Sequence, residues 1–591
     1  MRGGGGVTPA LKGFTLFSCS SLIFTGLLTV DLNAQTLTIT NSNRIINNRH
    51  RNKTLVVNSP INTISSRNNP YRGTSLGIYF TNIKKLDIQN NASIDSWLDT
   101  QNTTIGQIDI NSPNVAGFHF KGGTKIGTID LKSGGFMRSV LMRGNASIET
   151  LNIEGTLAGW SAYGGINFRD RNGKINTINV KQRGKIEQGI RNNNGTIQTL
   201  TISGGQVQGG VHNNGTLNKL DLSNGTINGG ITNNRTMGSI SVSDSTVNGN
   251  IVNSGANAST GAINITKTSN VSGSIVNSDG ATFNSQITLD QNSKLGGISN
   301  NANSTMGGTL TLNGEVGTIS NAGTFNSTLT LSNKVGTIEN KQGGTISNDI
   351  TINQNGSVGA INNEGTMQDI TNNGTLSKIT NSGTMKVITT KDGSLNNQGT
   401  IENLKITSGD FELNNMQQGR IANIEIAGNG NININDNMNI GYHKGISTFR
   451  IASGATPTLN FGEVRTATTA QETYATVKLV DSTNNANATQ AKVAIDKLTI
   501  ALVGEDTQIG KSVSLANSVS GAANSGVGNV YVKSADFSQD LKQSGFYGKF
   551  NAQTQTIDTR FNANLGAAGL FSQVFINQLG RRSLLFDSFL N

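Results

Sequence analysis

A repeat of fixed length between residues 190 and 251 constrains the fold more than any other feature of this sequence. It reads IRNNNGTIQTLTISGGQVQGGV, HNNGTLNKLDLSNGTINGGI and TNNRTMGSISVSDSTVNGNI, with Asn194, Asn214 and Asn234 at a spacing of 20. A unit of this length cannot bury a core alone, so the period predicts a solenoid of stacked units. Alternating aliphatic residues, as in Leu200-Thr201-Ile202, stand between Gly and Asn, which indicates short strands joined by turns.

The aliphatic triplet can be followed through most of the chain. Its first members are Leu86, Ile108, Ile129, Leu151, Ile178, Leu200, Leu220, Ile240, Ile263, Ile287, Leu310, Leu329 and Ile350. These 12 steps cover 264 residues, a mean of 22 per step. A strand residue advances the chain by about 3.3 Å, so such a step is long enough for three short strands and three bends. The pattern predicts an all-β fold, a right-handed parallel β-helix with turns of about 20–22 residues.

Two departures from the mean period predict local changes in the solenoid. The step from Leu151 to Ile178 is 27 residues long, and an insertion in one turn is expected to project as a loop. Beyond Ile361 the period drops to nine, in NNEGTMQDI, TNNGTLSKI and TNSGTMKVI. Two such units make 18 residues, so each is interpreted as half a turn.

The sequence divides into four parts. Residues 1–34 are a signal peptide, 35–454 carry the β-helix repeats, and 455–545 are the last turns and a C-terminal cap. Residues 546–591 are interpreted as a linker and helix, because LGAAGLFSQVFINQLGRRSLLFDSFL, from Leu565 to Leu590, has apolar residues at helical spacing. A short C-terminal helical segment is therefore expected.

Composition supports an ordered solenoid over a disordered chain. Only 34% of the residues are hydrophobic and 73 are glycine, which would also suit a disordered polymer. However, no proline lies between Pro113 and Pro457, as expected where nearly every backbone N–H enters a ladder. The regular spacing of aliphatic residues also argues against disorder.

The N-terminus has the features of a secretory signal. Arg2 and Lys12 precede an apolar stretch over 14–30, and cleavage is expected between Ala34 and Gln35. The one cysteine, Cys19, would leave with the signal, so the exported chain would have neither disulfides nor a cysteine-based zinc site.

The charge distribution predicts an anionic partner. The net charge is +11, and residues 41–72 are rich in cations, including Arg49 and Arg51. The insertion supplies a second candidate contact surface over 158–172, whose residues are Trp160, Tyr163, Phe168, Arg169 and Arg171. Since the chain is expected to be exported, a host surface, an anionic glycan or a lipid fits better than nucleic acid. The alternative interpretation of 41–72 is a solvated cap on the first turn.

The search for catalytic chemistry yields no convincing motif. GEDTQIGKS at 504–512 has the wrong glycine spacing for a phosphate-binding loop. The histidines, His50, His119, His212 and His443, fall in different turns with no partner at ligand spacing. Asp87, Asp109 and Asp130 recur at the outward middle of their triplets and are interpreted as a solvated charged face. We expect no enzyme, no metal and no small-molecule cofactor.

The repeats NNGTL and NSGTM and the ending FINQLGRRSLLFDSFLN resemble the vacuolating-cytotoxin-like group of autotransporter passengers. The resemblance implies type V secretion through an outer-membrane β-barrel translocator, with the solenoid displayed on the cell surface or secreted. The barrel is missing from this chain, which ends at Asn591, so a translocator would have to be supplied separately or the chain is a fragment. The predicted mature N-terminus, Gln35 to Ile39, also lacks the apolar Gly-xxx-Gly segment that the toxin uses for pores.

These features together predict a protein that acts by binding, in adhesion, colonisation or host interaction. One alternative is a toxin-like host-cell effector, and another is a polysaccharide-acting β-helix enzyme. A two-partner-secretion adhesin is a further alternative, for which Asn69-Pro70 is the one sequence hint.

Overall fold

The computed structural model describes residues 36–39, 44–46, 51–61, 74–159, 164–170, 172–416, 418–436, 440, 442–443, 446–468, 473–474, 477–483, 486–488, 490–502, 512–514, 519–521, 530–539, 542 and 546–561. The predicted cleavage site between Ala34 and Gln35 and the predicted helical segment from Leu565 to Leu590 lie outside these residues. The described part forms a parallel β-solenoid, as the repeat predicts.

Two parallel sheets run along the solenoid, and each strand pairs with the strand one turn later. The register of the first sheet follows the aliphatic triplet through all its steps, from the pair Leu86–Ile108 to the pair Leu329–Ile350. The predicted register is therefore confirmed.

The first sheet has 29 strands. Their bounds are Thr36–Ile39, Thr54–Val57, Asn82–Ile88, Thr104–Ile110, Lys125–Leu131, Ser147–Ile153, Lys174–Val180, Thr196–Ser203, Thr216–Ser223, Thr236–Ser243, Ser259–Thr260, Ile263–Thr266, Thr282–Phe283, Ile287–Leu289, Thr305–Met306, Leu310–Leu312, Thr324–Phe325, Leu329–Leu331, Thr345–Ile346, Ile350–Ile352, Thr366–Met367, Ile370–Asn372, Thr384–Thr390, Thr400–Ile406, Arg420–Ile426, Tyr442–His443, Ile446–Ile451, Val477–Asp481 and Val519–Ser520.

The second sheet has 30 strands. Their bounds are Arg44–Ile46, Thr74–Tyr79, Trp97–Gln101, Phe118–Phe120, Phe136–Met137, Val140–Met142, Thr156–Leu157, Ile166–Phe168, Lys185–Ile186, Ile190–Asn192, Gln206–Val207, Val211–Asn213, Thr226–Asn228, Ile231–Asn233, Thr246–Asn248, Ile251–Ser254, Asn270–Ser278, Lys294–Asn300, Glu315–Asn321, Lys334–Asn340, Ser357–Asn363, Thr375–Asn381, Gly393–Asn397, Phe411–Asn415, Asn431–Asp436, Thr458–Thr468, Thr473–Tyr474, Lys492–Leu502, Val530–Val532 and Ala535–Phe537.

Turns in the first half of the solenoid contain one long strand and two short ones. In the turn that starts at Thr196, the long strand Thr196–Ser203 belongs to the first sheet, and Gln206–Val207 and Val211–Asn213 belong to the second. The long strand changes sheets at Asn270–Ser278, which pairs with both short strands of the preceding turn. The prediction of three strands per turn is thus correct here, although the strands are of unequal length.

The nine-residue units are half turns, as predicted. Ile361 pairs with Ile379 in the second sheet, and Ile370 pairs with Ile388 in the first. From Thr384 each turn through Asp436 has only two strands, one in each sheet. A shorter turn therefore omits a short strand and keeps the register of the core.

The core is a continuous row of aliphatic side chains enclosed by the two sheets. Ile202 is typical, because its side chain has 0% exposure and it lies in register between Val180 and Leu222. Burying such a side chain contributes about 1.5–3 kcal/mol, so stability is distributed along the stack.

One inward corner of the solenoid is filled by asparagine. The members of this asparagine ladder are Asn192, Asn213, Asn233, Asn253, Asn277, Asn300, Asn321, Asn340, Asn363, Asn381, Asn397 and Asn415, all buried. Each Nδ2 up to Asn397 donates to the Oδ1 of the next member, over 2.7–3.2 Å. Most members also donate to a backbone carbonyl of the following turn, as Asn213 does to Thr236 at 2.7 Å. The ladder therefore joins successive turns from inside.

A small antiparallel sheet lies near the C-terminal end of the described chain. It consists of Ser512–Ser514, Phe546–Asn551 and Thr556–Phe561. The last two strands form a hairpin within the range that the sequence predicts to be a linker.

Candidate anion-binding face

The structure separates the seven residues predicted to bind a partner. Arg49, Trp160, Tyr163 and Arg171 lie outside the described residues. Of the other three, Arg51 and Arg169 are exposed and Phe168 is not.

Phe168 is a core residue, so its predicted role in partner binding is corrected. Its side chain has 0% exposure, and it lies in register between Met142 and Asn192. A Cβ added at Gly195 would come within 2.1 Å of a Phe168 ring carbon, so the turn above needs glycine to accommodate the ring. The reason is strand alternation, because Phe168 and Ile166 are the inward residues of a triplet.

Arg169 belongs to a column of cations along the solenoid. Lys121, Arg143 and Arg169 each directly follow a strand of the second sheet, and those strands read FHF, VLM and INF. The N–H of Arg143 donates to the Phe120 carbonyl at 2.8 Å, and that of Arg169 to the Met142 carbonyl at 3.0 Å. The three residues therefore stack on successive turns, about 4.8 Å apart.

Arg191 extends this column diagonally. It is the outward middle residue of the next strand, in register with Asn167, whose own strand ends next to Arg169. We call Lys121, Arg143, Arg169 and Arg191 the basic face. Its four residues occupy four successive turns.

Two arginines of the basic face have an unsatisfied donor. The Nε atoms of Arg143 and Arg191 are buried and have no hydrogen-bond partner among the described residues. A buried polar group without a partner costs free energy and commonly marks a site where a water or an ion belongs. These guanidinium groups are therefore available to bind an anion.

Asp99 neutralises one end of the basic face. Its carboxylate lies 2.8 Å from Lys121 Nζ and 3.0 Å from His119 Nδ1, and the His119 ring packs edge-on against Trp97. Burial alone would raise the pKa of Asp99, but hydrogen bonds from His119 and Lys121 outweigh it, so the pKa lies below its ordinary value. The sequence analysis found no partner for His119, because Asp99 lies one turn earlier.

A second carboxylate lies at the rim of the basic face. Asp170 is exposed and accepts a hydrogen bond from the N–H of Gly144 at 3.3 Å. The chain on either side of the insertion packs nearby, since a Cβ added at Gly164 would lie 3.3 Å from Arg191 Cγ. The predicted insertion surface and the basic face thus adjoin.

The aspartates at the triplet centres are paired. Asp87, Asp109 and Asp130 lie in register on neighbouring turns. Lys85 Nζ lies 2.7 Å from Asp109, and Asn152 Nδ2 donates to Asp130 at 2.7 Å. Among the described residues no group of His, Cys, Asp and Glu side chains could hold a metal ion.

The main groove is polar and uncharged. Its volume is about 450 Å³, and it is lined by Gly308, Thr309, Leu310, Thr311, Asn313, Asn326, Thr328, Thr330 and Asn348. It contains no acid or base.

Comparisons with known proteins add no further identity. No protein-family model matches the sequence. A comparison with curated proteins also finds no match. Within the described part of the chain, no helix has the length and apolar character needed to cross a membrane.

Proposed function

We propose that this protein is an exported β-solenoid, displayed on the cell surface or secreted, that acts by binding an anionic partner through the basic face. The observation that carries the proposal is the pair of arginines, Arg143 and Arg191, with buried Nε atoms that lack partners. Guanidinium groups form strong paired hydrogen bonds with carboxylate, sulfate or phosphate. Adhesion or colonisation is the biological role that such a surface would serve.

Export and display rest on the predicted signal and on the resemblance to autotransporter passengers. Protease treatment of intact native cells, followed by detection with an antibody against residues 190–400, tests this part. We expect the repeats to be degraded from outside, with a translocator supplied by another chain or by a longer form of this one. Protection of the repeats in intact cells, with degradation after the outer membrane is opened, would contradict display on the surface.

Binding is tested with the purified full chain on surfaces that carry sulfated glycan, anionic lipid or no charge. We expect retention on at least one anionic surface and reduced retention by the double variant R143Q/R169Q. Arg235→Gln is the matched control, because Arg235 is an exposed arginine several turns away. Equal retention of wild type and double variant on every anionic surface would remove the basic face as the contact region.

A further inference from the structure

We infer that the partner of the basic face is a linear anionic polysaccharide, bound parallel to the solenoid axis with its charged groups distributed over successive turns. This inference rests on the proposed function and specifies the class of ligand. It follows from the arrangement of the cations, from the residues that continue their column, and from the absence of exposed apolar side chains beside them.

The cations form a line. Lys121, Arg143 and Arg169 stack directly, and Arg191 continues them diagonally, so four charges span three strand spacings, about 15 Å. A compact anion would contact one or two of these groups. An extended glycan with an acidic group on successive sugars can contact all four, because one pyranose ring is about as long as one strand spacing.

The column changes from cations to amides beyond the basic face. The next outward positions after Arg169 are Asn193, Asn214 and Asn234, one on each of three turns. Asn234 Nδ2 donates to Asn214 Oδ1 at 2.7 Å, so these exposed amides form a row along the same axis. Amides donate to and accept from hydroxyl groups, which a polysaccharide has along its whole length. A ligand that crosses both parts would thus contact charge first and hydroxyl-binding groups next.

The alternative partner, an anionic membrane, would favour apolar side chains beside the cations. In the described chain the exposed large hydrophobic residues are Phe80, Met416, Ile446 and Tyr531. None of them lies on the turns of the basic face or of the amide row. The surface around the cations is therefore suited to a hydrated polymer.

The test measures binding of the full chain to sulfated linear glycan fragments of increasing length, by calorimetry or surface plasmon resonance. We expect affinity to rise with length until the fragment spans the four turns, roughly 15 Å, and to rise further as longer fragments reach the amide row. Arg143→Gln and Arg169→Gln should each weaken binding about tenfold, because each removes a hydrogen-bonded charge. Arg235→Gln should leave the affinity unchanged.

A second measurement separates the amide row from charge alone. Asn214→Ala should weaken the binding of long fragments and leave the binding of fragments too short to pass Arg191 unchanged. Affinity should also fall with salt concentration, and less steeply in the arginine variants, because fewer counterions are released.

The remaining outcomes overturn the inference in distinguishable ways. Affinity that stops increasing at the disaccharide, or variants that bind long fragments like wild type, would exclude alignment along the axis. Binding to phosphatidylserine vesicles without binding to any glycan fragment would exclude a polysaccharide but retain an anionic partner. Failure to bind either probe would remove both this inference and the proposed function.

Discussion

The side-chain amide of Asn192 donates to that of Asn213 one turn later, with 2.8 Å between Nδ2 and Oδ1. This bond begins the asparagine ladder, which continues to Asn415 through buried amides. The core is thus not purely apolar, since one corner is held by a polar row whose members satisfy one another. A row of this kind is stable only if complete, because removing one member leaves neighbouring donors and acceptors unpaired in a buried site.

Replacing a ladder residue should be much more costly than replacing its exposed neighbour. Asn213→Ala removes an acceptor for Asn192 and donors to Asn233 and Thr236, so the turn should lose about 1–3 kcal/mol of stability. Asn214→Ala, at the exposed next position, should change stability by less than about 0.5 kcal/mol. Urea unfolding of both variants measures the difference. Equal effects would mean that the ladder does not stabilise the solenoid.

Damage to the core should remain local. Ile202→Asp puts a charge at a fully buried site, and loss of the aliphatic side chain alone costs roughly 2–5 kcal/mol. Because each turn contacts only its neighbours, two or three turns should lose hydrogen-exchange protection while distant turns keep it. Thr201→Asp, at the outward position next in sequence, is the control and should retain protection. A loss of protection over the whole solenoid would show that it unfolds as a single unit.

The adjacent residues Phe168 and Arg169 should have opposite phenotypes. Phe168→Ala should destabilise the protein by about 3–5 kcal/mol, because it empties a fully buried site. Arg169→Gln should leave thermal stability nearly unchanged while weakening the binding of anions. Thermal unfolding and glycan binding of the two variants, measured in parallel, check this. Should Phe168→Ala unfold at the wild-type temperature, the inward position of the ring would be wrong.

The pairing of Asp99 predicts a dependence of stability on acid. Its pKa is lowered in the folded state, so its stabilising contribution is complete above the unfolded pKa of about 3.9 and is lost as the pH falls through the folded pKa. Asp99→Asn should therefore reduce the decrease in unfolding temperature between pH 7 and pH 3. Asp349→Asn, at an exposed aspartate, is the control. An unchanged decrease for Asp99→Asn would contradict the pairing with Lys121 and His119.

The sequence predicts the solenoid well because the aliphatic triplet is both the core and the register. A pattern such as Leu200-Thr201-Ile202 directly states which side chains face inward, and a fixed spacing requires equivalent positions to stack. The nine-residue units after Ile361 were interpretable for the same reason. Unequal strand lengths, and the exchange of the long strand at Asn270–Ser278, depend on how the bends pack and leave no such signal.

The basic face was only partly predicted. Arg169 was selected because it lies in the insertion, but its neighbours Lys121 and Arg143 belong to earlier turns. A signal for them does exist, since FHFK, VLMR and INFR are equivalent segments of a second triplet series on the other sheet. Phe168 was misassigned because an aromatic residue near an insertion was taken as exposed, although its place in that triplet points it inward.

The amides of the asparagine ladder all point in one direction. From Asn192 onward each NH₂ group faces the C-terminal end of the solenoid and each oxygen faces the N-terminal end, so the small side-chain dipoles add head to tail. Hydrogen bonds in such a chain polarise one another, and a bond in the middle is strengthened from both sides while a bond at an end is strengthened from one. The solenoid thus has an internal polarity along its axis, and a newly stacked turn would add to an amide chain that is already aligned to receive it.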